Sequence, residues 1–499
     1  MNYEFILKDL KPSKEEKEAV NKTAEKVIDF INESCESENI GAEAMLVGSV
    51  AKKTWLSGKS DIDVFIHFPL DTNIDVLKEK GLYLGYKTNE AMEGKACEHY
   101  ASHPYLTCEI DGFEIDFVPC YLIKDGSELK SAVDRTILHT KYIQENLEEK
   151  QVDEVLLLKK FMDCVKTYGS EFKTGGFAGY LCELLILKYG TFENLLKEAQ
   201  YWKYGTIIDL EDYKTYSAFN DPLITIDPTD KNRNVGAALR LERMVDFILA
   251  SRNFMNIIGN SNYSNSEKEE KIKEFFKPLE KKHLKDKNNN QIIDKLIKDF
   301  KDRQSQTLII EFSIPEISAD SLHPQLYKTI ESLCEKIENE EFSVFKYDYW
   351  TNEIDKCIFI IELNVFTQNK YKIHKGPKIW PKKACDNFIE KWKDTPLYPL
   401  DDFLVLTKER PFKTAKEFIK YVFTEDNIRL IKVGKNIKNI LCTDYQLIEI
   451  EEFLSNLKET EDNKSPYDNK QEETQKQEDL RNILNFFDDF LNPGQYLKR

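Results

Sequence analysis

VGSVAKKTWLSGKSDIDVFIHF, residues 47–68, is the stretch on which the reading of this 499-residue chain turns. Val47 closes a short apolar run from Ala44, which reads as a strand. Gly48-Ser49 follows as a turn, Val50 to Leu56 reads as the start of a helix, and Gly58 breaks it. Asp61 to Phe68 then alternates as a strand does. Residues two apart in a strand share a face, so Asp61 and Asp63 point one way while Ile62, Val64, Ile66 and Phe68 fill the other.

Further on, CEIDGFEIDFV (Cys108–Val118) places Asp111-Gly112 between alternating segments, the signature of a tight hairpin. Asp116 lies on the polar side of its second strand, between inward-facing Ile115 and Phe117. If that strand neighbours the first, three carboxylates converge. Such a cluster repels itself unless cations neutralise it, and an oxygen-only donor set suits Mg²⁺. The plain alternative for D-x-D alone is the wet face of a half-buried strand. Gly48-Ser49 at a helix N-terminus, where backbone N–H groups can hold phosphate oxygens, favours catalysis instead. Gly-Ser, D-x-D and a third strand carboxylate together resemble the polymerase-β-like nucleotidyltransferases. That resemblance implies in-line displacement at an α-phosphate with two Mg²⁺ ions on Asp61, Asp63 and Asp116.

Away from this head, Ser13 and Glu16 form a capping-box pattern ahead of Val20, Ala24, Val27, Ile28 and Ile31 at helical spacing. From about residue 150 the pattern turns helical, and Tyr180–Leu187 (YLCELLIL) is apolar enough for a helix buried all round. Polar sequence between Gly259 and Asn290 suggests a boundary. Strand, helix, strand, strand then follow at 306–314, 327–337, 343–349 and 357–366, an order that suits a small α+β, RRM-like domain. Residues 457–477 have a linker's composition, and a last helix is expected from Leu480 to Leu491.

The formal net charge of −17 argues against a generic nucleic-acid binder. Any RNA contact must come from local patches, and KYKIHKGPKIWPKK (370–383) is a candidate, its alternative being a solvated loop beside an apolar strand. Ten cysteines without a C-x-x-C or Cys/His cluster point to reduced thiols and a cytoplasmic protein rather than structural zinc. No apolar stretch approaches the ~20 residues of a membrane span, and the acidic first twenty residues lack a signal core.

The stretch VGSVAKKTWLSGKSDIDVF resembles the signature of archaeal-type (class I) CCA-adding enzymes, the tRNA nucleotidyltransferases. SHPYLTCEIDGFEIDFVPCY, KSAVDRTILHTKY, GGFAGYLCELLI and IDPTDKNRNV resemble further motifs of that family, and LHPQLY, HKGPK and VGKNI continue it to about residue 455. The resemblance implies addition of C, C and A to the tRNA 3′ end from CTP and ATP, with the acceptor/T arm as partner surface and a homodimer as assembly. It makes Asp61, Asp63 and Asp116 the metal carboxylates. Gly48, Ser49, Lys52, His139, Lys159 and Tyr168 become nucleotide-binding residues, and Arg233 helps form the base pocket. Lys52, Asp61 and Gly175 depart from residues common in the family (Arg, Glu and a basic residue). Glu425–Arg429 fits the E-D-x-x-R string of bacterial-type enzymes, but it lies more than three hundred residues past the carboxylates and carries no weight.

The expected fold is α+β multidomain: a nucleotidyltransferase head (1–150), a helical neck binding nucleotide and tRNA (151–270), an α+β body (271–370), a tail contacting tRNA (371–455) and an acidic linker plus helix (456–499). Deleting residues 457–499 is expected to leave addition intact. Two rival readings keep the same head: a poly(A) polymerase or oligoadenylate synthase-like enzyme, and a catalytically inactive tRNA-binding protein.

Overall fold

Five strands make the first sheet: β1 (Glu43–Val47), β2 (Ile62–Phe68), β3 (Lys95–Tyr100), β4 (Pro104–Ile110) and β5 (Phe113–Tyr121), in the order β1-β2-β5-β4-β3. Only β2 and β5 run parallel. The computed structural model describes residues 1–100, 104–278, 281, 287–462 and 470–494. It divides into two compact units, Met1–Glu280 with Gly494–Arg499, and Lys281–Pro493.

Helices α1 (Glu4–Leu10) and α2 (Lys14–Ser37) precede the sheet. The capping box at Ser13 forms: its hydroxyl accepts the Glu16 N–H at 3.1 Å, while the Glu16 carboxylate accepts the Ser13 N–H at 3.3 Å. The same carboxylate accepts from Ser57 Oγ at 2.8 Å and from the Gly58 N–H at 2.7 Å, tying the loop before β2 to α2. Val20, Ala24, Val27 and Ile31 are buried in one core with Ile62, Val64 and Ile66 of β2. The hairpin joining β4 to β5 turns through Asp111 and Gly112, both at positive φ (+53° and +82°), the type I′ geometry that an Asp-Gly pair suits.

Two expectations near the site change. The helix after Gly48-Ser49 is a single turn, α3 (Gly48–Ala51), because Lys53 takes positive φ (+60°) and leads the chain away. β2 starts at Ile62, so Asp61 stands exposed at the strand's entrance rather than within it.

The rest of the first unit includes α4 (Ile74–Ala91), α5 (Arg135–Asn146), α6 (Glu149–Cys164), α7 (Gly179–Tyr189), α8 (Phe192–Ala199), α9 (Leu241–Gly259) and α10 (Asn265–Lys273), with a small sheet β6-β7-β8 (Thr206–Ile208, Leu223–Asp227, Asp230–Asn234). Phe161 of α6 is fully buried and sits 5.5–6.1 Å, ring to ring, from Phe192, Phe247, Phe254 and Phe275. Burial of aromatic area on this scale fixes the helices that carry the site.

In the second unit β9 (Gln306–Ser313), β10 (Ser343–Thr351), β11 (Lys356–Val365) and β15 (Tyr445–Glu449) form an antiparallel sheet ordered β10-β11-β9-β15. Its two central strands, β9 and β11, are buried on both faces. Leu308, Ile310, Phe359 and Ile361 meet the helix Ala319–Asn339 on one side, and Ile309, Ile358 and Ile360 meet another core on the other. The expected helix 327–337 is therefore longer at its start, and takes in LHPQLY. The basic stretch 370–383 is a strand, β12 (Tyr371–Lys378), in a sheet with β13 (Leu397–Leu400) and β14 (Phe403–Glu409), followed by the helix Lys382–Lys391.

The C-terminal reading needs the largest correction. The last helix spans Lys470–Leu491 and the one before it runs to Asp462, so much of the expected linker is helical; residues 463–469 lie outside the described ones. Leu480, Ile483, Leu484, Phe487 and Phe490 are buried with Ile292, Ile293, Leu296 and Phe300 of the helix Asn289–Asp302. Removing this segment strips one face of the second unit's core. Among the described residues no helix is long and apolar enough to cross a membrane.

Candidate active site

The strand registers set a row of four residues across the first sheet. Val47 pairs with Asp63, Asp63 with Asp116, and Asp116 with Thr107. Directly paired residues project to one face, so the two aspartates stand side by side. Thr107 Oγ1 donates to Asp116 Oδ1 at 2.5 Å. Gly48 (φ +71°) follows Val47, and a Cβ there would collide with the Asp63 carboxylate. Only a glycine lets the turn lie against that carboxylate while the backbone adopts a left-handed conformation. Ser49 sits in the single turn of α3.

Asp63 is pushed up to about 7, first by burial, then by Asp116 and Asp61, with Lys52 acting the other way. This is the electrostatics of a carboxylate cluster waiting for positive charge. Among the described residues no three His, Cys, Asp or Glu side chains are already gathered as a metal cage. The residues fit magnesium by chemistry: all donors are carboxylate oxygens, and one of them is destabilised as an anion by its neighbours.

A second group lies where α3, α6 and α7 meet. Lys52 Nζ donates to Glu183 Oε2 at 2.6 Å, Thr54 Oγ1 donates to Glu183 Oε1 at 2.5 Å, and Lys159 Nζ is 3.7 Å from Glu183 Oε1. Lys159 also donates to the Thr54 carbonyl at 2.8 Å. Glu183 and Lys159 are buried. Burial alone would raise Glu183, yet the two ammonium groups hold it below the ordinary carboxylate range; burial lowers Lys159 despite Glu183. Tyr168 joins this group through Gly179, whose Cβ would stand 3.2 Å from the Tyr168 hydroxyl and 3.6 Å from Lys159 Nζ.

A third group is built on Asp227 at the end of β7. Arg233 Nη1 donates to Asp227 Oδ2 at 2.8 Å, and His139 Nε2 lies 2.9 Å from the same oxygen. Thr229 donates its N–H and its hydroxyl to Asp227 Oδ1 at 2.9 and 2.8 Å. Burial lowers His139 while Asp227 opposes the shift, and Nε2 donates to the Asp227 carboxylate. Burial would raise Asp227, but the donors around it hold it well below the usual carboxylate range. The His139 ring stacks on Tyr180 with centroids 3.8 Å apart, and Lys52 lies 5.7 Å from the Tyr180 ring. His139 is delivered by α5, whose start is pinned by buried Asp134: its carboxylate accepts backbone N–H groups of Tyr121, Lys130 and Ser131. Arg135, His139, Tyr180, Arg233 and Asn234 line a cavity of about 460 Å³.

Three family profiles cover most of this architecture. A nucleotidyltransferase domain matches residues 28–139, a tRNA nucleotidyltransferase second domain matches 153–263, and a CCA-adding enzyme C-terminal domain matches 303–449. The CCA-adding enzyme of Methanothermobacter thermautotrophicus is 40% identical over 498 residues, covering 100% of this chain and 99% of its own. The chain belongs to the CCA-adding enzymes. It is a tRNA nucleotidyltransferase with a polymerase-β-like head. The CCA-adding enzyme of Methanocaldococcus jannaschii is 36% identical, covering 87% of this chain and 92% of its own. The Methanothermobacter alignment runs through the C-terminal helix, so the likeness to CCA-adding enzymes does not stop near residue 455. A solved structure of the Cid1 poly(U) polymerase bound to Mg 3′-dATP is 13% identical with a TM-score of 0.44, covering 55% of this chain and 96% of its own.

Every nucleotide-binding residue expected from the family resemblance falls in one of these groups, and Asp61 stands at their edge. The residues missed are the ones that hold them: Thr54, Thr107, Tyr180, Glu183 and Asp227. All five lie inside the quoted motifs, Glu183 most visibly as the acid within YLCELLIL. At Gly175, the Arg240 side chain packs against the glycine and its guanidinium lies 4.5 Å from the Phe172 ring.

Proposed function

We propose that this enzyme adds C, C and A to the 3′ end of tRNA from CTP and ATP, by in-line attack of the terminal hydroxyl on the α-phosphate with release of pyrophosphate. The observation that carries this reading is the register placing Asp63 beside Asp116, with Gly48 packed on Asp63. Magnesium, two ions in this reading, held by Asp61, Asp63 and Asp116, supplies neutralisation of the developing charge and a lowered pKa for the attacking hydroxyl.

The chain's own groups do the rest. The Gly48-Ser49 turn receives phosphate oxygens, Lys52 and Lys159 neutralise the triphosphate, and the Tyr168 hydroxyl hydrogen-bonds it. His139, stacked against Tyr180, faces the ribose, and Arg233 presents the base pocket with the RNA 3′ end. These roles follow the family pattern and agree with the grouping of the side chains. The same reading assigns residues 1–150 to the catalytic head and 151–270 to the nucleotide- and tRNA-binding neck. It assigns 271–370 to the body and 371–455 to the part touching the acceptor/T arm. It makes the protein a cytoplasmic homodimer.

The test is incubation of the purified protein with tRNA lacking CCA, supplied with CTP, ATP or both. Two additions with CTP alone and three with both are expected. Continued addition of A would favour a poly(A) polymerase-like enzyme, and no addition at all an inactive tRNA-binding protein.

A further inference from the structure

We propose that Glu183 is a positioning residue that holds Lys52 and Lys159 as a paired, charged grip for the triphosphate of either nucleotide. The inference rests on the reading that these two lysines receive the triphosphate. Glu183 is buried mid-helix in α7, in a segment otherwise apolar on every side. A carboxylate in such a place costs several kcal/mol unless fully partnered. Its oxygens are divided: Oε2 takes Lys52 from α3's end, while Oε1 takes the Thr54 hydroxyl and lies near Lys159 from α6. Three side chains from two separate stretches of sequence, residues 52–54 and α6, therefore converge on one carboxylate, and two of them are lysines.

The bases bonded to the carboxylate separate this hub from a structural ion pair. In the second unit, buried Glu362 receives Arg303 Nε at 2.5 Å and Nη2 at 3.0 Å, plus Ser305 Oγ at 2.6 Å, so a single base side chain makes its ion pair. Glu183 gathers two lysines, and one of them, Lys52, also acts on Asp63 of the carboxylate row. The side chains of Lys52 and Lys159 are only 8% and 4% exposed, so Glu183 rather than water fixes where their amino groups lie. An arriving polyanion meets lysines whose positions are already set. Triphosphate is common to CTP and ATP, so the grip acts without regard to the base.

The experiment uses the full chain with tRNA lacking its terminal nucleotides, and compares wild type with Glu183→Gln, Thr54→Val and Lys52→Ala. It measures KM and kcat for CTP and for ATP, inhibition by inorganic tripolyphosphate, inhibition by CMP, and melting temperature. Glu183→Gln is expected to raise KM for both nucleotides and the inhibition constant of tripolyphosphate by the same factor, about tenfold or more, the loss of one charge-assisted contact. CMP inhibition and kcat should change far less, and Thr54→Val should give a smaller shift of the same kind. A fall in melting temperature with unchanged KM and tripolyphosphate inhibition would overturn the inference, as would equal loss of tripolyphosphate and CMP. If Glu183→Gln does not fold, Thr54→Val decides: unaltered tripolyphosphate inhibition overturns the proposal. If Lys52→Ala leaves tripolyphosphate inhibition unaltered, the triphosphate reading itself falls and the inference with it. A Lys52→Ala effect without one from Glu183→Gln overturns the inference alone.

Discussion

Asp63 and Glu183 belong to the same unit, and their surroundings drive them in opposite directions. Asp63 faces two other aspartates and is pushed up to about 7, after burial first raises it. Glu183 is more deeply buried, yet two lysines hold it below its ordinary range. Burial alone would raise both; the neighbours decide the sign. The difference shows what each half of the site lacks. The strand side carries unmet negative charge and asks for a cation, whereas the helical side presents two lysines gathered on one carboxylate, a setting suited to an anion. A metal–triphosphate complex meets both demands at once.

The strongest way to break this contrast is at the strand side. Asp63→Asn and Asp116→Asn keep size and polarity but remove charge, so single-turnover addition should fall by roughly 10³-fold or more while the fold survives. Asp116→Asn should retain more Mg²⁺–triphosphate binding than Asp63→Asn. Near wild-type rates for either would dismiss the catalytic assignment.

The second unit supplies a different kind of control. Truncation before Lys470 removes five buried apolar side chains worth roughly 1.5–3 kcal/mol each, a sum comparable with the roughly 5–15 kcal/mol that holds a domain folded. The expectation that residues beyond 456 are dispensable therefore reverses: the truncated protein should lose the second unit's melting transition. An unchanged thermogram would show that this helix is not part of the core. A finer control is Glu362→Gln, which breaks a buried pair without touching the site. It should cost about 2–4 kcal/mol of stability and leave KM and kcat as they are. A KM shift there would blur the distinction from Glu183.

Asp63 also makes a pH prediction. Its folded value near 7 lies above the ordinary 3.8, so the folded state holds its proton more tightly. The stability this contributes is complete below about pH 4 and is lost as pH rises through about 7. Asp63→Asn removes the titration, so its melting advantage over wild type without metal should grow from pH 5 to pH 8 and then level off. A difference independent of pH would mean that the cluster does not strain Asp63.

The smallest effect concerns the basic strand. Lys378 already pairs with Asp402 at 2.8 Å, Lys382 with Asp386 at 2.7 Å, and Lys375 lies 3.7 Å from the Phe403 ring centroid. Neutralising Lys375, Lys378, Lys382 and Lys383 should weaken tRNA binding modestly and flatten its salt dependence, by less than four fully committed phosphate contacts would. An unchanged slope removes this strand from the RNA surface.

Local pattern was enough for the parts whose physics is local. The capping box at Ser13, the Asp111-Gly112 hairpin and the strand from Ile62 to Phe68 follow from side-chain spacing and backbone preference within a few residues, and the structure bears them out, although Phe65 is buried on the face expected to be polar. Gly48 was legible as a turn, but its reason, the Asp63 carboxylate against its Cα, depends on how β1 pairs with β2. The last helix was legible as amphipathic, yet whether its apolar side docked depended on a partner helix some 190 residues earlier. Glu183 escaped notice because a buried acid is tolerable only with partners, and its partners arrive from residues 52–54 and 159; Asp227 takes Thr229 and Arg233 from nearby but His139 from a distant helix. From the chain itself come the carboxylates, the glycine turn and the family motifs. Tertiary packing alone decides which charges face one another, because electrostatic energy depends on separation in space and on burial, neither of which is written in residue order.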